Sequence, residues 1–383
     1  MSSHGTAYIG AHIHDGRSLF SDHALVMSKA DGCRIVPVAE VSDGCERVGL
    51  LGGVITPGFV DLQVNGGGGV LLNDAPSVET LRTIAAAHGR LGTVVFLPTL
   101  ITDTPETTRA AIDAVEAALA ERVEGIIGLH LEGPHLSRAR KGAHDERLIR
   151  PMSDEDMALL VQAAERLPNL MVTIAPESVT LEQMRRLAEA GVILSLGHTD
   201  ANRATCHAAF DAGVRCVTHL FNAMSQLGSR EPGLVGATLE RDDVDAGLIA
   251  DGVHVHPATM RIALAAKPRS DRIFLVTDAM ATAGSDIDSF RLNGRDVFRN
   301  DGRLTLADGT LAGADLDMTT ALRVMVDQVG DTIEEAVRRA TSTPAALLRE
   351  PGGAGGIGAS TPWVVHLTTT DEGGASMTRL FAD

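Results

Sequence analysis

The sequence predicts an α/β protein, a TIM-type (β/α)8 barrel with a small β domain formed from both chain termini. Three observations lead there. From residue 54 onward, short β-branched apolar runs alternate with segments of helical spacing. The runs number eight, the strand count of a TIM barrel, and each closes on polar or Gly/Pro residues. Strands alternating with helices imply parallel pairing through right-handed crossovers, which an eight-stranded barrel accommodates in closed form.

The runs follow in order. They are VITPGFVDLQVN from Val54, TVVFLPTLI from Thr93, IIGLHLEGP from Ile126, MVTIAPE from Met171 and VILSLGH from Val192. CVTHLFNAM from Cys216, AGLIADGVHV from Ala246 and IFLVTDAM from Ile273 complete the set. Between them, Thr104-Pro105-Glu106 opens a helix, with Thr104 as N-cap and proline at the first helical position. Ser153-Asp154-Glu155-Asp156 opens another, its acidic residues suited to the positive end of the helix dipole. Residues 289–310 carry Asn293-Gly294 and Asn300-Asp301-Gly302 turn signals, so a β-hairpin insertion is expected before the last helices. Residues 1–53 and 355–383 fall outside this rhythm. Their short β-like pieces, RIVPVAEV and TPWVVHLTTT, assign them to the small β domain, with 54–354 as the barrel.

Composition narrows the function. Hydrophobic residues make up 44% of the 383, but aromatics only 3%, so a large core must be built from Ala, Val, Leu and Ile, as layered helices and parallel strands allow. A formal net charge of −17 repels phosphate backbones and anionic headgroups, which argues against nucleic-acid and membrane partners. An anionic substrate would therefore need a local cluster of positive groups. Cys33, Cys45, Cys206 and Cys216 form no CxxC pair, and the first residues show neither the basic start nor the apolar stretch of a secretory signal. No apolar run approaches the roughly 18–20 residues that span a bilayer. A soluble, cytoplasmic protein is expected.

Barrel enzymes collect their chemistry at the C-terminal strand ends. There this chain places Glu132 on the third run, His198 on the fifth, His219 on the sixth and Asp278 on the eighth. One carboxylate and two imidazoles with a position left open is the donor set of a catalytic zinc site. Asp278 is the expected general acid/base, taking a proton from water and delivering it to a leaving amine. His88, His207 and His366 read as ordinary hydrogen-bonded or surface histidines. His12-Ile13-His14-Asp15-Gly16 looks like a metal-binding His-x-His pair, but it lies some fifty residues before the first barrel run. It reads as a strand and turn of the small domain.

Nine segments, in order, resemble the N-acetylglucosamine-6-phosphate deacetylases of the amidohydrolase superfamily, over about residues 54–347. They are TPGFVDLQVNGGGG, FLPTLIT, GLHLEGPHLSRARKGAH, TIAPE, SLGHT, THLFNAMSQLGSREPGLVGA, GLIADGVHVH, LVTDAM and DGTLAG. The resemblance implies hydrolysis of the acetamide of N-acetyl-D-glucosamine 6-phosphate to glucosamine 6-phosphate and acetate, in amino-sugar catabolism. It implies Glu132, His198 and His219 as metal ligands, Asp278 as acid/base and His144 beside the scissile amide. Ala143, Asn222, Ala223, Arg230, Asp251, Gly252, Val253, His254, Leu311, Ala312 and Gly313 match substrate-binding positions. A homodimer is implied too, with Arg230 reaching into the neighbouring subunit's site.

Two departures bear on this. Where most amidohydrolases carry His-x-His after strand one, this chain has Gln63-Val64-Asn65, the remnant of a second metal site, and no lysine ends strand four. One divalent ion per subunit is expected: zinc first, with iron, cobalt or manganese able to occupy such a donor set. The C-terminal GGIGASTPWVVHLTTT also differs from relatives that carry an Ala-Asp pair there. Alternative readings are an N-acetylgalactosamine 6-phosphate or other acylamino-sugar deacetylase and, from a different class, a non-catalytic sugar-phosphate-binding protein.

Overall fold

The computed structural model describes residues 5–29, 31–358, 361, 363–369 and 375–380. The rest of the two terminal segments, including Pro362 and Thr370 of the expected TPWVVHLTTT strand, lies outside the described residues. Eight parallel strands form the barrel: β1 (Phe59–Val64), β2 (Thr93–Ile101), β3 (Leu129–Glu132), β4 (Leu170–Ile174), β5 (Ile193–Leu196), β6 (Cys216–Val217), β7 (Asp245–Leu248) and β8 (Ile273–Leu275). Each pairs with its sequence neighbours. The ring is drawn shut past the strand ends, where Asp278 N–H donates to the Gln63 carbonyl at 3.0 Å and Asn65 N–H to the Ala279 carbonyl at 2.9 Å.

Every residue of β1 to β8 is buried. That is the burial of a parallel sheet with side chains filling one face and helices covering the other. Helices α1 (Val78–Arg90), α2 (Pro105–Ala120), α3 (Asp154–Arg166), α4 (Leu181–Glu189), α5 (Arg203–Asp211), α6 (Gly233–Glu240) and α7 (Pro257–Ala266) follow the first seven strands. Their starts match the capping chemistry. The Thr104 side chain accepts from Thr107 N–H with Pro105 at the first helical position, and Ser153 and Asp156 form a reciprocal capping box.

The run that begins at Val54 is divided. Val54–Pro57 pairs with His12–His14 and with Val364–Thr369, in the sheet that joins the two termini. The barrel strand itself starts at Phe59. Gly58 marks the crossing, where a Cβ would lie 2.2 Å from Val94 Cγ2, so only glycine lets the chain pass that close to β2. The terminal residues make two sheets. One is the four-stranded set Gly32–Pro37, His23–Ser28, Thr6–Ile9 and Glu46–Gly49; the other is the five-stranded set that contains Val54–Pro57. After β8 comes an antiparallel sheet of Ser289–Leu292, Arg295–Asn300, Arg303–Leu306 and Leu311–Ala314. Asn293-Gly294 and Asp301-Gly302 all have positive φ at its two tight turns, the geometry that matches the strand twist.

Polar side chains cross the barrel interior just below the strand ends. His130 Nδ1–H donates to the Leu62 carbonyl at 2.9 Å, so its Nε2 accepts from the Thr173 hydroxyl at 2.8 Å. Thr173 and Thr218 share a hydrogen bond of 2.7 Å, as do Thr218 and Ser195. Burial pushes the His130 ring down to about 4, keeping it neutral. Asp61 sits opposite, accepting from the Thr277 hydroxyl at 2.5 Å and from the backbone N–H groups of Thr277 and Gln63. Burial raises its carboxyl to about 7 despite these donors.

A carboxyl raised in the folded state binds more protons there than in the unfolded chain, so its contribution to stability is full below about pH 4 and is lost as pH rises through about 7. Asp61→Asn removes this dependence. Thermal melts at pH 5 and pH 8 should show the wild type losing ground to the variant by several degrees across that interval.

Candidate active site

The loops after the strands surround a cavity of about 380 Å³ whose lining includes Glu132, His144, His198, His219, Asn222, His254 and Asp278. Glu132 closes β3, while His198 and His219 lie just beyond β5 and β6. Glu132 Oε1 is 3.2 Å from His198 Nε2 and 3.0 Å from His219 Nε2, and the two Nε2 atoms are 3.1 Å apart. All three side chains are buried. Two ring nitrogens this close need a cation or a proton between them. The His198 Nδ1–H donates to the Arg140 carbonyl at 2.8 Å, which leaves the Nε2 lone pair facing the cluster. A backbone acceptor on the far nitrogen is the usual brace for a metal-ligating histidine. The donor set therefore fits a divalent ion, and it is the one such cluster among the described residues.

Backbone conformation carries part of this arrangement. His198, His219 and Asp278 all have positive φ, at 48°, 31° and 52°. Such values are uncommon for residues with a side chain and concentrate at functional sites. They turn each side chain off the strand line and over the barrel mouth.

Charge is tightly managed. Burial opposes ionisation of Glu132, but the imidazoles of His198 and His219 set against it outweigh this and hold the carboxyl well below its usual range. Asp278 responds the other way: burial, then the charge of Glu132, push it up to about 6. Its Oδ1 accepts from Asn65 Nδ2 at 2.6 Å and Gln63 Nε2 at 3.1 Å. Gln63 Nε2 also lies 3.1 Å from Glu132 Oε1. Gln63 and Asn65 thus act here as hydrogen-bond donors that space two carboxylates, and both of their contacts to Asp278 fall on Oδ1. Burial and the neighbouring His198 depress His144 to about 3, so its ring is neutral. Its Nδ1 is 2.7 Å from the Thr102 hydroxyl and its Nε2 faces the cluster, 3.8 Å from Glu132 Oε2.

Of the remaining expected residues, Ala143, Asn222, Ala223, His254, Leu311, Ala312 and Gly313 line the cavity. Asp251, Gly252 and Val253 do not. The Asp251 carboxylate is turned inward, accepting from Val253 N–H and His254 N–H at 2.8 Å each and meeting His254 Nδ1 at 2.6 Å. It orients His254, which alone of the four reaches the cavity. Arg230 is exposed and outside the cavity of its own chain. His88 and His366 bond the carbonyls of Gly66 and Gly52, and His207 pairs with Glu240. His12–His14 forms a strand of the terminal sheet, away from the cluster. Ile101, Thr102, Arg140, Met280 and Leu292 were not singled out from sequence, although Thr102 ends the FLPTLIT segment at a strand terminus, where such residues concentrate. A larger hollow of about 710 Å³ lies by Thr93 and Val94, at the N-terminal end of β2, with no histidine or cysteine in its lining.

A carboxylate and two imidazoles able to hold a metal ion, with a second carboxylate held beside them, is equipment for adding water to a polarised bond. The fold and site define a barrel hydrolase of the metal-dependent kind. The chain belongs to the Amidohydrolase family, whose profile matches residues 54–358. It is 43% identical over 302 residues to an N-acetylgalactosamine-6-phosphate deacetylase of Shewanella sp. (strain ANA-3), covering 79% of this chain and 76% of that one. The crystal structure of N-acetylglucosamine-6-phosphate deacetylase from Pasteurella multocida superposes with a TM-score of 0.90 at 34% identity, covering 97% of each chain. A variant of the Mycobacterium smegmatis N-acetyl-D-glucosamine-6-phosphate deacetylase, solved in complex with N-acetyl-D-glucosamine-6-phosphate, gives 0.87 at 30% identity over 98% of each chain.

Glu132→Gln, His198→Ala and His219→Ala should each strip the ion, read as metal per chain in the purified protein by elemental analysis. Gln63→Leu, which removes a donor behind the cluster, should instead weaken metal affinity by about tenfold in a competition titration.

Proposed function

We propose that the protein hydrolyses the acetamide of N-acetyl-D-glucosamine 6-phosphate to D-glucosamine 6-phosphate and acetate, as a cytoplasmic step of amino-sugar catabolism with one divalent ion, zinc first, per subunit. The observation that carries this reading is the pairing of the Glu132/His198/His219 cluster with Asp278, a separately held carboxylate whose Oδ1 is saturated by Gln63 and Asn65.

Glu132, His198 and His219 would hold the ion. When bound, it supplies Lewis-acid polarisation of the amide and makes water acidic enough to lose a proton near neutral pH. Asp278 Oδ2 accepts that proton as water adds to the carbonyl carbon. The raised affinity of this buried carboxyl for a proton, with a value of about 6, lets it then protonate the amine nitrogen as the C–N bond breaks. His144 Nε2, which faces the cluster, would donate to the acyl oxygen as negative charge builds there. His254, held by Asp251, and the Asn222 amide offer polar groups to the sugar.

A phosphate on an acidic protein needs a concentrated positive partner. Arg230, exposed and outside its own cavity, supplies a planar fork for a phosphate if it reaches the cavity of a second copy. We therefore place the working unit as a homodimer. The four free cysteines suit a reducing compartment.

A second reading is favoured by one finding: the Shewanella relative, at 43% identity, bears the galactosamine name. The epimers differ at a single hydroxyl, which the Glu/His/His cluster and Asp278 do not address.

Acetate release from N-acetylglucosamine 6-phosphate should be abolished by chelation and restored by added zinc. Parallel assays with the galactosamine epimer decide between the two sugars by the ratio of kcat/KM. Asp278→Asn should retain metal and lose about 10²–10⁴ in kcat; near-full turnover in that variant would remove Asp278 from the reaction. Arg230→Ala should raise KM for the phosphorylated sugar far more than it lowers kcat.

A further inference from the structure

Thr102 follows β2 directly and is buried behind His144, which lines the cavity. Its hydroxyl lies 2.7 Å from His144 Nδ1 and 3.2 Å from the backbone carbonyl of Glu132. The hydroxyl has one hydrogen to give, and a neutral imidazole has one ring hydrogen. The two are linked. If Thr102 donates to the Glu132 carbonyl, His144 must carry its hydrogen on Nδ1 to donate to Thr102, and Nε2 reaches the cavity as a bare lone pair. If Thr102 donates to Nδ1, the ring hydrogen sits on Nε2 and points at the cluster. Only the second arrangement can hydrogen-bond an amide oxygen, because a carbonyl oxygen accepts and cannot donate.

The surroundings are shaped for that hydroxyl. Gly133 follows Glu132 with φ +87°, and a Cβ there would lie 2.2 Å from Thr102 Oγ1. Glycine at that position is what gives the hydroxyl its space. From the inserted sheet, Asn293 Nδ2 approaches the Thr102 carbonyl at 3.4 Å, and the Arg295 guanidinium hydrogen-bonds the Ala143 carbonyl. Both ends of the Thr102–His144 contact are therefore braced by one hairpin. Of the two acceptors open to the hydroxyl, Nδ1 is the nearer by half an ångström.

We propose that Thr102 is a positioning residue that donates to His144 Nδ1 and so presents Nε2–H to the acyl oxygen. The inference rests on the deacetylase reading for its substrate, but the tautomer itself is a property of the protein alone. In a neutral histidine, the bond made by one nitrogen decides which nitrogen carries the proton, and an enzyme left with the wrong tautomer loses rate, not fold.

The test uses the zinc-loaded protein with N-acetylglucosamine 6-phosphate and the variants Thr102→Ser, Thr102→Val, His144→Gln and Thr102→Val/His144→Gln. Thr102→Val should lower kcat by about 10–10³-fold with little change in KM and in bound zinc. Thr102→Ser, which keeps the hydroxyl, should restore most of the rate. In the His144→Gln background, Thr102→Val should cost almost nothing further, since a residue that acts through His144 has nothing left to act on. A valine variant with wild-type kcat, or an equal loss in both backgrounds, overturns the proposal. The ¹⁵N signature of His144 in the wild type provides an independent reading should the valine variant fail to fold: protonated Nε2 supports the assignment, and protonated Nδ1 overturns it. A wild type that releases no acetate counts against the proposed function, while the ¹⁵N signature still judges the tautomer.

Discussion

Glu132 is the point on which the rest of the structure turns. A carboxylate enclosed at the mouth of a barrel is expensive to ionise, and it stays ionised only if donors or a cation offset the lost water. Here a single oxygen, Oε1, is approached by His198, His219 and Gln63 at 3.0–3.2 Å. Meeting that demand accounts for much else nearby. His198 and His219 must leave their strands with positive φ to bring Nε2 inward, and β6 is cut to two residues just before His219. The neighbouring Asp278 has a raised proton affinity, from its burial first and then from the charge that Glu132 keeps.

The barrel's second task is to hold these groups still without competing with them. Below the mouth, His130, Thr173, Thr218 and Ser195 satisfy one another, and Asp61 grips Thr277 and its backbone one residue before Asp278. Polar groups in such a layer satisfy each other and leave the apolar core of Val, Leu, Ile and Ala to the layers beneath. Division of labour also shows in the amides. Where a second pair of imidazoles would recruit another ion, Gln63 and Asn65 offer N–H groups to carboxylates already present.

The chain order revealed some of this and concealed the rest, for physical reasons. Eight apolar runs with capped helices between them made the barrel legible, and strand-end positions made Glu132, His198, His219 and Asp278 legible, because both follow from local pattern. Thr102 was hidden since its importance depends on one hydroxyl meeting a ring 42 residues away. The inward turn of Asp251 was hidden since a carboxylate in a loop can face either the ligand or its own backbone, and spacing does not distinguish them. The start of β1 was misplaced by a few residues because VITP and FVDLQV read as one apolar stretch. Gly58 divides them only through its contact with Val94, which lies on another strand.

That division has a consequence for how the protein is made. The sheet containing His12–His14 is bridged by Val54–Pro57 to Val364–Thr369, a strand more than three hundred residues further along. At about 5–20 residues per second, synthesis leaves the early strands waiting tens of seconds for that partner. The barrel's segments emerge in the order in which they pair, so each can dock on its predecessor at the ribosome. The edge of Val54–Pro57 that Val364–Thr369 covers therefore stays open until late in synthesis, an unpaired strand edge of the kind that favours aggregation.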